Sequence, residues 1–182
     1  FFNPNADDAV NYGGIGAVIG HEMTHGFDDS GRRFDAQGNV HDWWTPMDAA
    51  DFSKRAQCIV DEFSAFEPVP GIHEKGAQVQ GEAIADLGGA TIAFKAFEKT
   101  PEFKAGKKLD GYTPAQRFFL SFAQVWRQVQ TDESARQQAL SDPHPAAKYR
   151  VDGTLSNMPE FEQAFACPAN TAMVRKNRCQ IW

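Results

Sequence analysis

The chain has 182 residues, of which 42% are hydrophobic and 23% charged, a length and balance that predict about one globular domain. Its 18 basic and 24 acidic residues leave a net charge of −6, which argues against nucleic acid or an anionic membrane as the main partner. No apolar run approaches the ~18 residues of a membrane span, and no leader peptide is visible.

The chain opens on Phe1-Phe2-Asn3-Pro4 without a Met and holds three cysteines. It reads as a piece of something longer, and the odd cysteine implies either a free thiol or a partner outside the segment. Residues 1–11 look polar and irregular. A helix is expected over 11–25, with Tyr12, Ile15, Val18 and Ile19 on its apolar sides and Gly26 just past its end. Gly13, Gly16 and Gly20 fall on one stripe of that helix. Each interior glycine costs up to ~1 kcal/mol against alanine. The expectation is that another backbone packs along the stripe, so that Gly16→Leu unfolds the domain.

Residues 27–44 read as loop. Thr45-Pro46-Met47-Asp48 carries a capping signal, and a helix should follow through Phe52, Ala56, Ile59 and Phe63. Residues 67–76 connect to a long helix over 80–97 bearing Ile84, Leu87, Thr91, Ile92 and Phe94. Thr113-Pro114-Ala115-Gln116 is a second capping box, ahead of an apolar helix with Phe118, Phe119, Phe122, Val125, Trp126 and Val129. Two prolines make 141–145 a loop. A short helix is expected near 159–166, and weak strand candidates lie at 33–40 and 149–151. The fold class is mainly α, or α+β with a minor sheet.

His21-Glu22-Met23-Thr24-His25 is an H-E-x-x-H sequence on the first helix. His21 and His25 would sit about 40° apart and about 6 Å along the axis, so two imidazoles can face one ion. Zinc takes such nitrogens and an oxygen, keeps one position open and lowers the pKa of its water towards ~7. Glu22, beside that water, can take its proton as it attacks a carbonyl. A metzincin would need Gly and His at fixed offsets beyond His25, where Asp28 and Gly31 stand instead. A glutamate from a later helix is the other common third ligand. Glu82 can serve, with Asp86 four residues on and on the same face to hold a ligand imidazole. Gly81, Gly88 and Gly89 suggest close packing there.

With these segments in place, the chain resembles the neprilysin and endothelin-converting-enzyme family of zinc endopeptidases almost end to end. The resemblance is carried by Asn11-Tyr12-Gly13-Gly14-Ile15-Gly16, His25-Gly26-Phe27-Asp28-Asp29, Asp42-Trp43-Trp44, Phe122-Ala123-Gln124-Val125-Trp126 and the ending Cys179-Gln180-Ile181-Trp182. It implies a thermolysin-like zincin fold and one zinc ion held by His21, His25 and Glu82, with Glu22 as general base. It also implies that Asp86 supports a ligand histidine, that His144, held by Asp142, stabilises the oxyanion, and that Arg150 binds a substrate backbone carbonyl. Asp86 is often described as a proton donor in the family; an orienting role fits better, because a carboxylate bonded to a metal-bound imidazole stays ionised. Ala83 departs from the family's usual Asn. His41 and His73 read as ordinary polar residues.

The same resemblance pairs Cys58 with Cys179 and gives Cys167 a partner in an absent N-terminal lobe; three reduced, buried thiols are the alternative. A bridge places the protein outside the cytoplasm, in the periplasm, secreted, or on the cell surface. Residues 1–182 would then be a C-terminal catalytic region without the lobe that closes over the site. The implied activity is hydrolysis of peptide bonds in oligopeptides, on the amino side of hydrophobic residues, by Glu-assisted attack of a zinc-bound water. The alternatives are a non-catalytic zinc-stabilised fragment and an aminopeptidase of the same zinc-binding type.

Overall fold

In the computed structural model, which describes residues 1–182, nine α-helices follow one another: α1 (Asp8–Asn11), α2 (Ala17–Thr24), α3 (Pro46–Ser64), α4 (Gly76–Phe97), α5 (Pro101–Ala105), α6 (Pro114–Val125), α7 (Asp132–Ser141), α8 (Ala147–Ser156) and α9 (Pro159–Phe165). Extended structure is limited to three isolated antiparallel bridges, one of them Phe34 with Val40. The mainly α expectation therefore holds, and the minor sheet shrinks to single bridges.

The start of the chain is more articulated than its periodicity predicts. Asp7 caps α1 by accepting the Val10 N–H. A π-helical turn, Tyr12–Gly16, then joins α1 to α2, and a 3₁₀ turn, His25–Phe27, ends the run. Three glycines in five residues make such a widened turn inexpensive. The extra residue also breaks the expected stripe. A Cβ on Gly13 would lie 2.2 Å from the Phe118 carbonyl oxygen of α6, and one on Gly20 would lie 2.8 Å from the Gly89 oxygen of α4. A Cβ on Gly16 would meet only its own Tyr12 and Asn11, at 3.5 Å or more. Gly13 and Gly20 are thus close-approach sites, whereas Gly16 faces no other element, and the packing reason for Gly16→Leu to unfold the domain falls away.

Helix α4 is the frame. It starts at Gly76, four residues before the expected point, and its residues Val79, Ile84, Ala85, Ala90 and Phe97 are almost wholly buried. On one side Gly88 and Gly89 admit α2. On the other Phe94 and Phe97 meet α6, with Phe94 stacked on Phe119 at 5.0 Å and Phe97 stacked on Phe118 at 5.9 Å. Burial of each such ring contributes about 1.5–3 kcal/mol. Helix α6 begins with the expected capping box between Thr113 and Gln116 and ends at Val125. Val129 lies beyond it and is fully exposed.

Besides α1, which falls in a stretch that reads as irregular, three helices escaped the sequence reading. α5 is only five residues long. α7 is polar and carries no apolar stripe, being held by its Thr131 cap. α8 contains Tyr149-Arg150-Val151, which reads locally as strand. Tertiary packing decides for helix: Leu155 is buried, and Gly153 lets the backbone close on Phe63, whose ring would stand 2.6 Å from an added Cβ. A disulfide joins Cys58 of α3 to Cys179 of the tail across 121 residues. Cys167 is free and half-buried. No helix is long and apolar enough to cross a membrane.

Candidate metal centre

The site forms where α2 crosses α4. Because Gly89 has no side chain, the backbones touch: a Cβ there would lie 2.4 Å from the His21 nitrogen and 2.6 Å from the Ala17 oxygen. Gly88 makes similar room for Thr24, whose hydroxyl donates to the Gly20 carbonyl at 2.7 Å. This crossing carries Glu82 to the histidines of α2. One donor atom each from His21, His25 and Glu82 lie within 4.8 Å of one another.

The imidazoles are oriented from behind. His25 Nδ1 pairs with Asp28 Oδ2 at 2.7 Å, and Asp28 is itself fixed by the Ser30 and Gly31 N–H groups. His21 Nδ1 lies 2.8 Å from Asp86 Oδ1, in a bent approach rather than a straight hydrogen bond. Each Nδ1 therefore carries its proton towards a carboxylate. The two Nε2 atoms face each other only 3.0 Å apart. Glu82 oxygens approach them at 3.3 and 3.5 Å. Two ring nitrogens and a carboxylate crowd one point, an arrangement that a shared cation would satisfy. Two neutral imidazoles and a carboxylate are a zinc-type donor set, so the residues present fit the metal.

The electrostatics agree. Burial alone would lower the pKa of His21, but the Asp86 and Glu82 carboxylates outweigh it and push it up to about 9. Burial works to raise the pKa of Glu82, but His21, His144, Arg150 and His25 together hold it below the usual carboxylate value. The pocket is thus built to keep a positive charge against its carboxylates.

The remaining expected residues surround this cluster. His144, on the loop between α7 and α8, points its Nε2 at Glu82 Oε1 across 3.3 Å. Its Nδ1 pairs with Asp142 Oδ1 at 2.7 Å, and the same oxygen accepts the His144 N–H. That N–H is the main reason the Asp142 carboxyl is held below its ordinary pKa. Glu22 stands on the exposed side of α2, next in the chain to His21. Arg150 of α8 is buried. Its Nε and Nη2 donate to the two Asp86 oxygens at 2.7 Å each, Nη2 also reaches Glu82 at 3.3 Å, and Nη1 makes no hydrogen bond. The guanidinium lies 3.8 Å over the Trp126 ring. His41 and His73 are exposed, and neither hydrogen-bonds nor pairs with a member of this network.

Two contributors were missed in the sequence. Asp28 figures in the sequence only as a departure from the metzincin spacing and as part of a matched block, although a carboxylate three residues after a candidate ligand is itself a signal for an orienting partner. The Trp126 platform had no signal, since it depends on α6 and α8 meeting.

The comparisons with known proteins converge on one family. Residues 1–181 match Peptidase family M13. The whole chain is 43% identical to neprilysin-1 of Caenorhabditis elegans, over 25% of that protein. It is 40% identical to human endothelin-converting enzyme 1, over 24% of that protein. Among solved structures, it superposes on the zinc metalloprotease Zmp1 of Mycobacterium tuberculosis in complex with an inhibitor, with a TM-score of 0.93, 40% identity and coverage of 100% of this chain and 29% of that one. PepO from Lactobacillus rhamnosis gives a TM-score of 0.86 at 30% identity, covering 97% of this chain and 26% of that one. The chain spans about a quarter of the length of the curated relatives it matches.

Proposed function

Because the chain belongs to peptidase family M13, with neprilysin and the endothelin-converting enzymes among its relatives, we propose that its 182 residues are the catalytic region of a longer zinc endopeptidase. The observation that carries this reading is the convergence of His21, His25 and Glu82 with both imidazoles pre-oriented by carboxylates. One bound zinc ion would be held by these three residues and would supply Lewis acidity, polarising the scissile carbonyl and acidifying water at the site.

The chain's own residues do the rest. Glu22 accepts the proton of the attacking water and passes it to the leaving amine. His144 Nε2 donates to the carbonyl oxygen as negative charge develops on it. Asp142 holds the opposite nitrogen of that ring and so selects the tautomer with a proton on Nε2 when the ring is neutral. Asp86 and Asp28 keep the ligand imidazoles in place. Arg150 is committed to Asp86 through two nitrogens; its free Nη1 is the atom available to a substrate backbone carbonyl.

The substrates are oligopeptides, cut on the amino side of hydrophobic residues as the family precedent suggests. The remainder of the protein, including an N-terminal lobe, completes the substrate enclosure. The Cys58–Cys179 bridge supports an extracytoplasmic location.

The test is Glu22→Gln in the full-length protein, assayed on a peptide with a blocked N-terminus. Zinc content should stay unchanged while turnover falls by about 10²–10⁴-fold. Undiminished turnover would remove Glu22 from the mechanism, and failure of the wild type to cut blocked peptides while cutting free ones would make it an aminopeptidase. Activity of the isolated segment separates a self-sufficient catalytic region from a metal-stabilised fragment.

A further inference from the structure

Glu74 lies in the turn just ahead of α4 and is 3% exposed. It has no part in the metal cluster, and Glu82 follows it two helical turns later. Its Oε1 accepts the Ala146 N–H at 2.8 Å, while its Oε2 is buried without a partner. A buried carboxylate with one unpaired oxygen is costly, and burial is the first cause raising its pKa. A carboxylate retained in such a place calls for an explanation.

We propose that Glu74 is a positioning residue that sets the location of His144. The His144 side chain is 47% exposed, so burial does not fix it. Asp142 orients the ring but belongs to the same loop. The loop backbone must therefore be placed from outside. Gln138 Nε2 reaches the His144 and Pro145 carbonyls at 3.2 Å, and Gln78 Nε2 reaches the Asp142 carbonyl at 2.7 Å. Neither Gln is buried. Glu74 supplies the one anchor made by a buried charged group, and its target, Ala146, is also the N-cap of α8. The carboxylate faces the positive end of that ten-residue helix. One contact thus ties the His144 loop and the start of the Arg150 helix to the helix that carries Glu82 and Asp86.

The inference rests on the peptidase reading for its activity arm, and a second arm stands apart from it. In the full-length protein, Glu74→Leu should lower kcat by about 10–100-fold, the effect of an ångström-scale misplacement of a reacting group, with KM and zinc content little changed. Amide exchange at His144 and Ala146 should accelerate. Glu74→Gln should restore kcat to within about threefold, because its carbonyl oxygen can accept the same N–H. Ala146→Pro removes that N–H from the other side at a φ of −54°, which proline adopts, and should reproduce the Glu74→Leu defect even where Glu74→Leu folds poorly. Unchanged kcat and unchanged His144 amide exchange in Ala146→Pro, or a Glu74→Gln variant as impaired as Glu74→Leu, would overturn the proposal. Absence of peptide hydrolysis in the wild type would instead sink the peptidase reading, and amide exchange at His144 in the same variants would still decide the anchor.

Discussion

Arg150 grips Asp86 through two hydrogen bonds of 2.7 Å, and Asp86 in turn stands 2.8 Å from Nδ1 of His21. The three side chains form a relay from α8 through α4 to α2, all of it buried. In the proposed mechanism Asp86 is a fixed support for the imidazole rather than a source of protons.

Removing that support should weaken metal binding before it unfolds the protein. Asp86→Ala is expected to lower zinc affinity by about 10–100-fold, measured by competition with a chromogenic chelator. Asp86→Asn, whose carbonyl oxygen still accepts, should lose less. Equal losses in the two variants would mean that charge, not orientation, carries the effect.

The crossing of α2 and α4 sets the distance between the histidines and Glu82. Gly89→Ala places a methyl 2.4 Å from the His21 nitrogen, so the helices must separate. The expected cost is about 1–3 kcal/mol or more, seen as a lower unfolding midpoint together with reduced zinc affinity. Gly16→Ala, whose Cβ has at least 3.5 Å to its neighbours, should stay within about 0.5 kcal/mol of the parent. This pair separates tight crossing from a general intolerance of side chains near the site.

The Cys58–Cys179 bridge closes a long loop between α3 and the tail. Replacing both residues with Ser should cost about 2–5 kcal/mol, read from denaturant unfolding under non-reducing conditions. Cys167→Ser in the isolated segment should leave stability nearly unchanged, because that thiol has no partner among these residues.

Glu62 offers a test by pH. It is buried, receives the Asn157 amide at 2.7 Å and lies 2.9 Å from Arg175 Nη1. Burial raises its pKa above the ordinary 4.5 despite those partners. The folded state therefore holds the proton more tightly than the unfolded chain does. The contribution of Glu62 is fully favourable below pH 4.5 and declines as pH rises towards the elevated folded value. Glu62→Gln, which cannot ionise, should gain stability relative to the parent across that interval, in paired melts from pH 4 to 7. A constant difference would show that the Arg175 contact cancels the burial effect.

Legibility in the sequence followed the range of the interactions involved. The H-E-x-x-H pair, the glutamate four residues before an aspartate, and the Thr45 and Thr113 caps are all local patterns. Each depends on neighbours within a turn or two, so each could be read from spacing. The π turn at Tyr12–Gly16 could not, because a straight helical period absorbs the same residues. Helix α8 could not either, because Tyr149-Arg150-Val151 is intrinsically strand-like and is overruled by contact with Phe63.

The sequence by itself determined which atoms are available for metal chemistry: two imidazoles one turn apart, a carboxylate beside them, and a second helix with a carboxylate pair. Local geometry guarantees those placements within each helix. Only the tertiary structure decided that the two helices meet glycine to glycine, and that Arg150 serves Asp86. The tertiary structure alone, too, ties the His144 loop to Glu74. These relationships join residues tens of positions apart, so no local pattern specifies them, and only the packing of the helices on one another brings the partners within reach.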